Sequence, residues 1–355
     1  MGTTTAASEA GAAFPAARLQ DFAQRLLTAS GMPAAAAGTL AEHLIWADLR
    51  GISWLGVNKI PQYLARLRSG ATVADAAAEV LHDRPGFLVI DGHHGFGQVV
   101  VPEAMNLVIG KAGSAGAAAG VVRNTTSAGA LGYFAMMAAR ERMIGLAINN
   151  SPPLQTAPDG RERVVGNQAF AIASPAGRHN PLLLDIATSA ITWARIHEYA
   201  QRGQPLPEGV ALSDRGEPTA DPATALRGIL LPRGGHLGFG LALMWEILTG
   251  VLAGGDRFSV DVSGPDETGR PQGVSVFLLA IDPSAVMSND SYLTRVDRLI
   301  DTVRAARPAA RGGRVRVPGE RSAQIGARQE VTGIPIPGDL LRTLRRLGAE
   351  FGVSL

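Results

Sequence analysis

The sequence predicts an α/β fold in which a helical layer accompanies a largely buried sheet. Short apolar runs of β type alternate with helical patterns from residue 86 onward. These runs are mostly apolar, which is typical of strands covered on both faces. The chain has 355 residues, so about two or three lobes are expected instead of one minimal domain.

The first part of the chain predicts a small layer of three helices. Apolar residues at helical spacing, such as Leu19, Phe22 and Leu26, define the first helix. Pro33 suits the first turn of the second helix, where its missing N–H costs nothing. The three helices are predicted over residues 16–30, 33–49 and 59–68. Residues 1–14 are small and polar, and they predict a disordered leader.

The middle and end of the chain predict the remaining elements. Strands are predicted over residues 87–90, 120–123, 144–149, 182–186 and 274–281. Helices are predicted over residues 98–115, 131–140, 189–201, 238–252, 295–307 and 339–351, with an extended piece at 315–317. Residues 202–225 are rich in Pro, Gly, Asp and Thr and predict a long surface excursion. Because helix 238–252 is apolar on nearly every side, we expect it to be buried on most of its circumference.

The composition excludes several classes of function. The chain has no cysteine, which excludes disulfides, zinc–thiolate sites, iron–sulfur clusters and cysteine nucleophiles. Lys59 and Lys111 are the only lysines, so Schiff-base chemistry has few candidates. The net charge is +2, and the arginines between residues 295 and 321 lack interleaved aromatic residues. We therefore expect no nucleic-acid partner.

The sequence carries no recognisable signal for secretion or for a membrane. The N-terminus lacks a basic region followed by an apolar stretch. The most apolar long window, 238–252, contains Glu246 and is shorter than the ~20 residues that span a bilayer. We expect a cytoplasmic protein with no membrane partner.

Two glycine loops are candidates for ligand binding. Residues 92–97 and 235–240 share the pattern G-H-x-G-F-G, which is not the G-x-G-x-x-G of a Rossmann site. The second loop precedes a helix, where backbone N–H groups and His236 could face a phosphate. Tight turns between packed elements explain both loops as well. The seven histidines show no metal-ligand spacing, so no metal site is expected.

A third candidate is the junction at residues 184–189. It combines Asp185 with the hydroxyl groups of Thr188 and Ser189 between a predicted strand and a predicted helix. Ligand sites in α/β proteins lie at the carboxyl ends of strands, but hydroxyl groups at such junctions also cap helices. Both interpretations stay open.

Short segments spread over some 270 residues resemble one known family. They are Ala47-Asp48-Leu49-Arg50-Gly51, Gly56-Val57-Asn58-Lys59-Ile60-Pro61-Gln62-Tyr63, Asp91-Gly92, Val122-Arg123, Gly129-Ala130-Leu131-Gly132-Tyr133, Asp185-Ile186-Ala187-Thr188-Ser189, Leu231-Pro232, Gly234-Gly235, Gly238-Phe239-Gly240-Leu241-Ala242-Leu243 and Pro318-Gly319-Glu320-Arg321. The set resembles the malate/L-lactate dehydrogenase family of the second, non-Rossmann type. Relatives of that family include ureidoglycolate, sulfolactate and diketogulonate dehydrogenases and a piperideine-2-carboxylate reductase.

The resemblance implies an α/β fold with a non-Rossmann mixed-sheet NAD(P)-binding domain, and a helical domain formed by the N- and C-terminal segments. It also implies a homodimer that uses NAD or NADP on a small-molecule substrate, either a 2-oxoacid or a cyclic imino acid. We accordingly divide the chain into three parts. They are a disordered leader (1–14), a helical and dimerisation layer (15–85 with 290–355), and an α/β core that binds cofactor and substrate (86–289).

The departures from the family pattern fall on the residues that carry its chemistry. The family segments R-G-x-x-S-H-G and S-N-H-F-G supply histidines, but Leu55 and Ser127 stand at those positions here. The family's G-T-N-P reads Gly166-Asn167-Gln168-Ala169, and Leu237 replaces the lysine of its G-G-x-K-G. Because the scaffold segments are retained while four active-site segments differ, we infer a rebuilt pocket.

The resemblance assigns candidate residues to three roles. The expected catalytic residues are Lys59, Asp185 and His236. The expected substrate-binding residues are Arg50, Trp54, Leu55, Ser127, Tyr133 and Gln168. The expected cofactor-binding residues are Ser151, Leu184, Asp185, Ile186, Ala187, Thr188, His236, Leu237, Gly319 and Glu320.

Three hypotheses about function follow. The first is an NAD(P)-dependent reductase whose substrate, for example an imine already protonated to an iminium, needs no histidine acid; Lys59 would then hold a carboxylate. The second is an enzyme that catalyses a non-redox step, such as a cyclisation, elimination or condensation in specialised metabolism. The third is a catalytically inactive binding partner. Function follows the site and not the fold, so the site must decide.

Overall fold

The computed structural model describes residues 11–254, 257–264, 267–309 and 313–355. The helices are α1 (Ala16–Ala29), α2 (Ala34–Leu49), α3 (Ile60–Arg68), α4 (Gly97–Ala115), α5 (Gly132–Arg140), α6 (Trp193–Gln201), α7 (Pro222–Arg227), α8 (His236–Glu246), α9 (Asn289–Arg304), α10 (Glu320–Thr332) and α11 (Gly338–Glu350). The strands are β1 (Ala12–Phe14), β2 (Glu79–Arg84), β3 (Phe87–Asp91), β4 (Ala117–Thr125), β5 (Ile144–Asn149), β6 (Phe170–Ser174), β7 (Leu182–Ile186), β8 (Ala211–Leu212), β9 (Ile229–Leu230), β10 (Val274–Ile281) and β11 (Ile334–Ile336).

A mixed seven-stranded sheet forms the centre of the molecule, in the order β2-β3-β4-β10-β5-β6-β7. The β3–β4 pair is parallel, and the other neighbouring pairs are antiparallel. This arrangement confirms the predicted α/β class and the mixed, non-Rossmann sheet. The late strand β10 lies between β4 and β5, so residues far apart in sequence meet at the middle of the sheet.

The main core lies between this sheet and helices α4 and α5. Leu88, Val122 and Leu278 of the strands pack with Val108 and Phe134 of the helices, and all five are fully or almost fully buried. Burying each such side chain contributes roughly 1.5–3 kcal/mol. The continuous apolar strands seen in the sequence are explained by this burial.

A second core holds the helical layer together. Leu19 and Phe22 of α1, Leu44 of α2 and Leu344 of α11 are buried in one cluster. The N- and C-terminal segments therefore pack on each other, because their apolar helix faces have no sheet to cover. Strand β1 joins them by pairing with β11, with Phe14 opposite Ile334.

Three expectations about boundaries need correction. Residues 12–14 were expected in the disordered leader, but they form β1, because the backbone of β11 offers them an antiparallel partner. Residues 1–10 of that leader lie outside the described residues. Residues 79–84 were expected in the helical layer, yet they form edge strand β2 of the central sheet. The predicted helix at 189–201 begins only at Trp193, where Thr192 caps it.

Helix α8 is less buried than the sequence suggests. The structure buries only one narrow stripe of this helix, at Gly238, Ala242 and Glu246. A π-helical turn at Ile247–Val251 follows directly. Phe239, Leu241 and Trp245 are half-buried. Leu237, Met244 and Val251 are each at least half exposed. The expectation of burial on most of the circumference is therefore wrong for the single chain.

The candidate ligand-binding segments lie at one end of the strands of the central sheet. The register pairs Asp91 with Arg123, Thr125 with Val274 and Phe170 with Ile186. The C-terminal ends of β3, β4, β5 and β7 therefore lie beside the N-terminal ends of β6 and β10.

Within the described part of the chain, no helix is long and apolar enough to cross a membrane. The expected cytoplasmic location stays a prediction.

Candidate active site

A loop after α2 carries three of the predicted substrate-binding residues, Arg50, Trp54 and Leu55. Asp48 closes this loop, because its buried carboxylate accepts the backbone N–H of Val57 at 2.9 Å. A Cβ at Gly56 would lie 2.0 Å from Asp48 Oδ1, so only glycine fits there. Burial raises the pKa of Asp48 from 3.8 to about 7, and the Val57 N–H opposes this shift.

The loop between β4 and α5 presents Ser127, which is exposed. Its backbone is held on both sides: the Ser127 N–H donates to Gln272 Oε1 at 3.0 Å, and the Ser127 carbonyl accepts from Gln98 Nε2 at 3.0 Å. The Ala130 N–H donates to Nε2 of His43 at 3.0 Å. Burial lowers the pKa of His43 to about 3, so this ring is neutral and serves as an acceptor.

Asp185, Trp46 and Gly132 meet where β7, α2 and α5 converge. The Gly132 N–H donates to Asp185 Oδ2 at 2.8 Å. A Cβ at Gly132 would lie 2.8 Å from that same oxygen and 3.0 Å from Trp46 Cη2, so the three elements are in close contact. Burial raises the pKa of Asp185 to about 6, against the opposing effect of the Gly132 N–H. A carboxyl group with this pKa can hold or release a proton near neutral pH.

Arg50 extends this convergence toward the C-terminal segment. Its guanidinium carbon lies 4.0 Å from the ring centroid of Trp46. Burial and the neighbouring charge of Arg140 lower the pKa of Arg50 to about 10, so the group stays cationic at neutral pH. Arg50, Leu183 and Gly319 line a cavity of about 80 Å³. A guanidinium cation at a cavity suits the recognition of a small carboxylate.

The segment that contains Gly319 and Glu320 runs along the free edge of β7. The Leu183 N–H donates to the Pro318 carbonyl at 3.3 Å. Gly319 has a backbone φ of 85°, and a Cβ there would lie 2.9 Å from Leu183 N. Glu320 is buried in an ion-pair cluster with Arg304 at 3.2 Å and Arg314 at 2.5 Å, and its predicted contact with the cofactor stays a prediction that this position does not favour. Its carboxylate fastens this segment to α9.

A polar network joins Ser151 and Thr188, two of the predicted cofactor-binding residues. Ser151 Oγ donates to Asn167 Oδ1 at 2.9 Å and accepts the Asn167 N–H at 3.1 Å. Thr188 donates its N–H and its hydroxyl to the Asn167 carbonyl, at 3.0 and 2.9 Å. Gln155 Nε2 donates to the Thr188 hydroxyl at 2.9 Å. Thr188 thus belongs to this network and is not the cap of α6.

Gln168 lies beneath this network and not in it. The side chain is fully buried, and its Nε2 donates to Glu246 and, at 2.9 Å, to Ser259 Oγ. A substrate could reach it only after displacing these contacts. Its predicted role in substrate binding stays a prediction that this position does not favour.

The start of α8 offers an open backbone next to Thr188. Gly234 and Gly235 both have a φ of 61°, and no described atom lies within 4 Å of the position that a Cβ at Gly235 would take. Arg233 donates its N–H to the Thr188 carbonyl at 2.9 Å, and both Arg233 and His236 are exposed. A helix N-terminus with exposed basic side chains fits a phosphate group. Leu237 is also exposed there.

Three further predicted residues have their own places. Lys59 is half-buried, and its Nζ donates to Gln62 Oε1 at 3.2 Å. The Tyr133 hydroxyl donates to Glu42 Oε1 at 2.9 Å, and burial raises the pKa of this phenol. Leu55 packs against the main core at the end of a short 3-10 turn.

The contacts bring the predicted residues into two groups. Arg50, Asp185 and Gly319 are connected through Trp46 and Leu183. Ser151, Thr188 and the start of α8 form the other group, and β7 with Leu184, Ile186 and Ala187 links the two. Described residues that sequence reasoning missed are the buried supports Asp48, His43, Gln98 and Trp46. A polar residue inside an apolar helix, as at His43 and Asp48, is the signal that could have revealed them.

Comparison with known proteins places these observations in a family. The model of the malate/L-lactate dehydrogenase family matches residues 14–345. A malate dehydrogenase of Pyrococcus abyssi is 34% identical over 96% of this chain and 95% of its own length. A Δ1-pyrroline-2-carboxylate/Δ1-piperideine-2-carboxylate reductase of Pseudomonas putida is 30% identical over 94% and 96%, respectively. The solved structure of sulfolactate dehydrogenase from Methanocaldococcus jannaschii has a TM-score of 0.90 at 31% identity, covering 97% of this chain and 98% of that one.

Proposed function

We propose that this chain, which belongs to the malate/L-lactate dehydrogenase family, is an NAD(P)-dependent oxidoreductase. Its substrate in this proposal is an imine or a 2-oxoacid-type small molecule, which it reduces in a rebuilt pocket. The observation that carries this proposal is that Arg50 and Asp185 both lie close to Trp46 at the end of β7. It offers a cation for a carboxylate and a carboxyl group that titrates near neutrality.

The names of the relatives point to one substrate feature. Malate, sulfolactate and piperideine-2-carboxylate each carry a carboxylate next to the carbon that is oxidised or reduced. In this chain Arg50 is the better-supported carboxylate ligand, because Trp46 orients its guanidinium at the cavity. Lys59, which the resemblance predicts to hold a carboxylate, is the second candidate.

Proton supply distinguishes the two substrate classes. Leu55 and Ser127 replace the family histidines, and neither side chain can act as an acid at neutral pH. Asp185 is then the candidate acid for a carbonyl oxygen, and it is protonated below a pH of about 6. An iminium nitrogen already carries its proton, so an imine needs no acid from the protein. We therefore favour the imine as substrate.

The residues described also fit a dinucleotide. The start of α8, with Arg233 and His236, would hold a phosphate, and the hydroxyl groups of Ser151 and Thr188 would contact the remainder of the molecule. A nicotinamide dinucleotide supplies or accepts the hydride when it is bound. The open glycine backbone at Gly235 is the structural feature that favours this fit.

A non-redox reaction is the second candidate function. Leu237 takes the place of a family lysine and is 59% exposed at the start of α8, so a cation is lost beside the expected phosphate position. This loss favours a cyclisation, elimination or condensation that no longer requires the cofactor. A catalytically inactive binding partner is the third possibility, and it predicts neither redox nor non-redox turnover.

We further propose that the protein is a homodimer and that its interface lies on α8. The helical layer was expected to carry the interface, but the exposed apolar side chains cluster on α8 and the turn after it, at Leu243, Met244, Ile247, Val251 and Leu252. An apolar surface of this kind favours a protein–protein contact. The same helix starts at the proposed phosphate position, so the dimer would stabilise the cofactor site.

Titration with NADH and NADPH tests the proposed function. We expect one dinucleotide to bind with a Kd well below millimolar, measured by the enhancement of nicotinamide fluorescence or by a rise in Tm. Binding of both at millimolar strength or weaker would refute the reductase. Δ1-piperideine-2-carboxylate and oxaloacetate, offered with the dinucleotide that binds, then decide between imine and 2-oxoacid.

A pair of substitutions tests whether the pocket has only lost its acid. Leu55→His with Ser127→His restores the family histidines. A gain in oxaloacetate reduction of about 10²-fold is expected if the remaining scaffold is competent, because general acid catalysis contributes this much. The matched control is Leu107→His, which adds a histidine at an exposed position of α4. An equal effect of the control would contradict the proposed pocket.

A further inference from the structure

Glu246, the last residue of α8, is a carboxylate held inside the protein. It is 7% exposed. Its Oε1 accepts the Ser259 N–H at 3.1 Å and Asn150 Nδ2 at 3.4 Å, and its Oε2 accepts from Gln168 Nε2 and the Ser259 hydroxyl. Within the described residues these donors are all neutral. Burying a carboxylate without a cation is unfavourable, so an apolar side chain would be the simpler choice for packing alone.

Gln168 connects this carboxylate to the turn at residues 166–168. Its backbone φ is 20°, a positive value that is uncommon for a residue with a side chain. Such a conformation persists when the surrounding contacts hold it. Here the hydrogen bonds from Gln168 Nε2 to Glu246 and Ser259 supply that hold.

The same turn fixes the two hydroxyl residues of the candidate cofactor site. Asn167 binds Ser151 through both its N–H and its side-chain oxygen, and its carbonyl accepts both donors of Thr188. A shift of the turn would therefore move Ser151 and Thr188 together. The π-helical turn that directly follows Glu246 is an independent observation, because such turns frequently occur at functional sites.

We propose that Glu246 is a positioning residue that anchors turn 166–168 through Gln168 and thereby holds Ser151 and Thr188 in the geometry that binds the dinucleotide. The inference rests on the proposed function for its ligand. Its structural content, the coupling of α8 to the turn, can be measured without that ligand.

Variants that exchange the carboxylate and the amide between Glu246 and Gln168 test the proposal. Gln168→Glu brings two buried carboxylates into contact and should release the turn. Glu246→Gln should be milder, because the Gln168 amide can rotate and present its oxygen to the new amide. The double variant Glu246→Gln with Gln168→Glu restores one carboxylate and one amide with their positions exchanged.

Hydrogen exchange provides the readout that does not depend on a cofactor. Gln168→Glu should accelerate exchange of the amides at residues 166–168 and 188, and the double variant should return it toward the wild-type rate. The matched control is Asp297→Asn, a second buried carboxylate that accepts the N–H groups of Gly177 and Arg178. It should affect residues 177–179 and leave 166–168 and 188 unchanged.

Dinucleotide titration of the same variants tests the functional part. Gln168→Glu should weaken binding about tenfold, and the double variant should recover to within about threefold of the wild type. Unchanged exchange at 166–168 in Gln168→Glu would overturn the proposal, as would a double variant no better than that single variant. If the wild type binds neither dinucleotide, the proposed function fails, and hydrogen exchange alone then decides whether Glu246 positions the turn.

Discussion

Substitution of Asp48 by asparagine should change how the stability of this protein depends on pH. Asp48 is buried behind Gly56, and its carboxylate accepts the Val57 N–H. An asparagine side chain has the same shape and keeps an oxygen for that N–H, but it cannot ionise. The substitution therefore isolates the cost of the charge from the contribution of the hydrogen bond.

The magnitude follows from the pKa of Asp48, which burial raises from 3.8 to about 7. A raised acid pKa means that the folded state holds the proton more tightly than the unfolded state does. The stability from this group is present below about pH 4 and is lost as the pH rises through about 7. The wild-type protein should lose about 4 kcal/mol from this group between about pH 4 and pH 8, and the Asp48→Asn variant should not.

Urea unfolding followed by tryptophan fluorescence, at pH values from about 4 to 8, measures this difference. The free energy of unfolding of the variant, relative to that of the wild type, should rise between about pH 4 and pH 7 and then level off. Asp75→Asn, at an exposed position, controls for the loss of a negative charge. Parallel pH profiles for Asp48→Asn and the wild type would refute the claim that the carboxyl group is buried in the folded state.

Three further predictions follow from the site and its surroundings. Asp185→Asn should lower the rate of 2-oxoacid reduction by about 10²-fold, measured by dinucleotide absorbance. It should also abolish the decline of this rate as the pH rises through about 6. An unaltered pH–rate profile would exclude Asp185 as the acid. Gly319→Ala should lower the free energy of unfolding in urea by about 1–3 kcal/mol, because φ is 85° and the new Cβ meets Leu183 N. The control Gly352→Ala, with a φ of 70° and open space among the described atoms, should lower this free energy by less. Equal losses in the two variants would contradict the packing argument. The double variant Met244→Glu with Val251→Glu should convert the proposed dimer to a monomer, measured by light scattering. The control Val331→Glu, at a site already 87% exposed, should leave the dimer intact. Retention of the dimer in the double variant would show that the interface does not lie on α8.

Most helices, but only five of the eleven described strands, were predicted, because local patterns define those elements. The strand at 144–149 and the strand at 182–186 match β5 and β7 residue for residue, since apolar runs bounded by turn residues depend only on neighbours in sequence. Strand β1 was missed for the opposite reason. Its three residues carry no strand pattern of their own, and they are extended because β11, more than 300 residues later, provides the partner.

The candidate site was likewise predictable from the sequence only in part. The family segments identified Arg50, Asp185, Thr188 and Gly319 from residue types and order alone. The sequence could not show that Glu320 belongs to an ion-pair cluster or that Gln168 is enclosed by Glu246 and Ser259. These outcomes depend on side chains that are 6 to 91 residues apart along the chain.

The fold class and the family could be read from the sequence, because both reside in the identity and order of the residues. Which polar groups are buried, and therefore which of them titrate near neutral pH, became clear only from the packing, as at Asp48 and Asp185. The packing also showed that α8, apolar on nearly every side, leaves several apolar side chains exposed in the single chain. Both findings have the same cause: desolvation is set by what packs around a group in space, and a linear pattern does not contain that information.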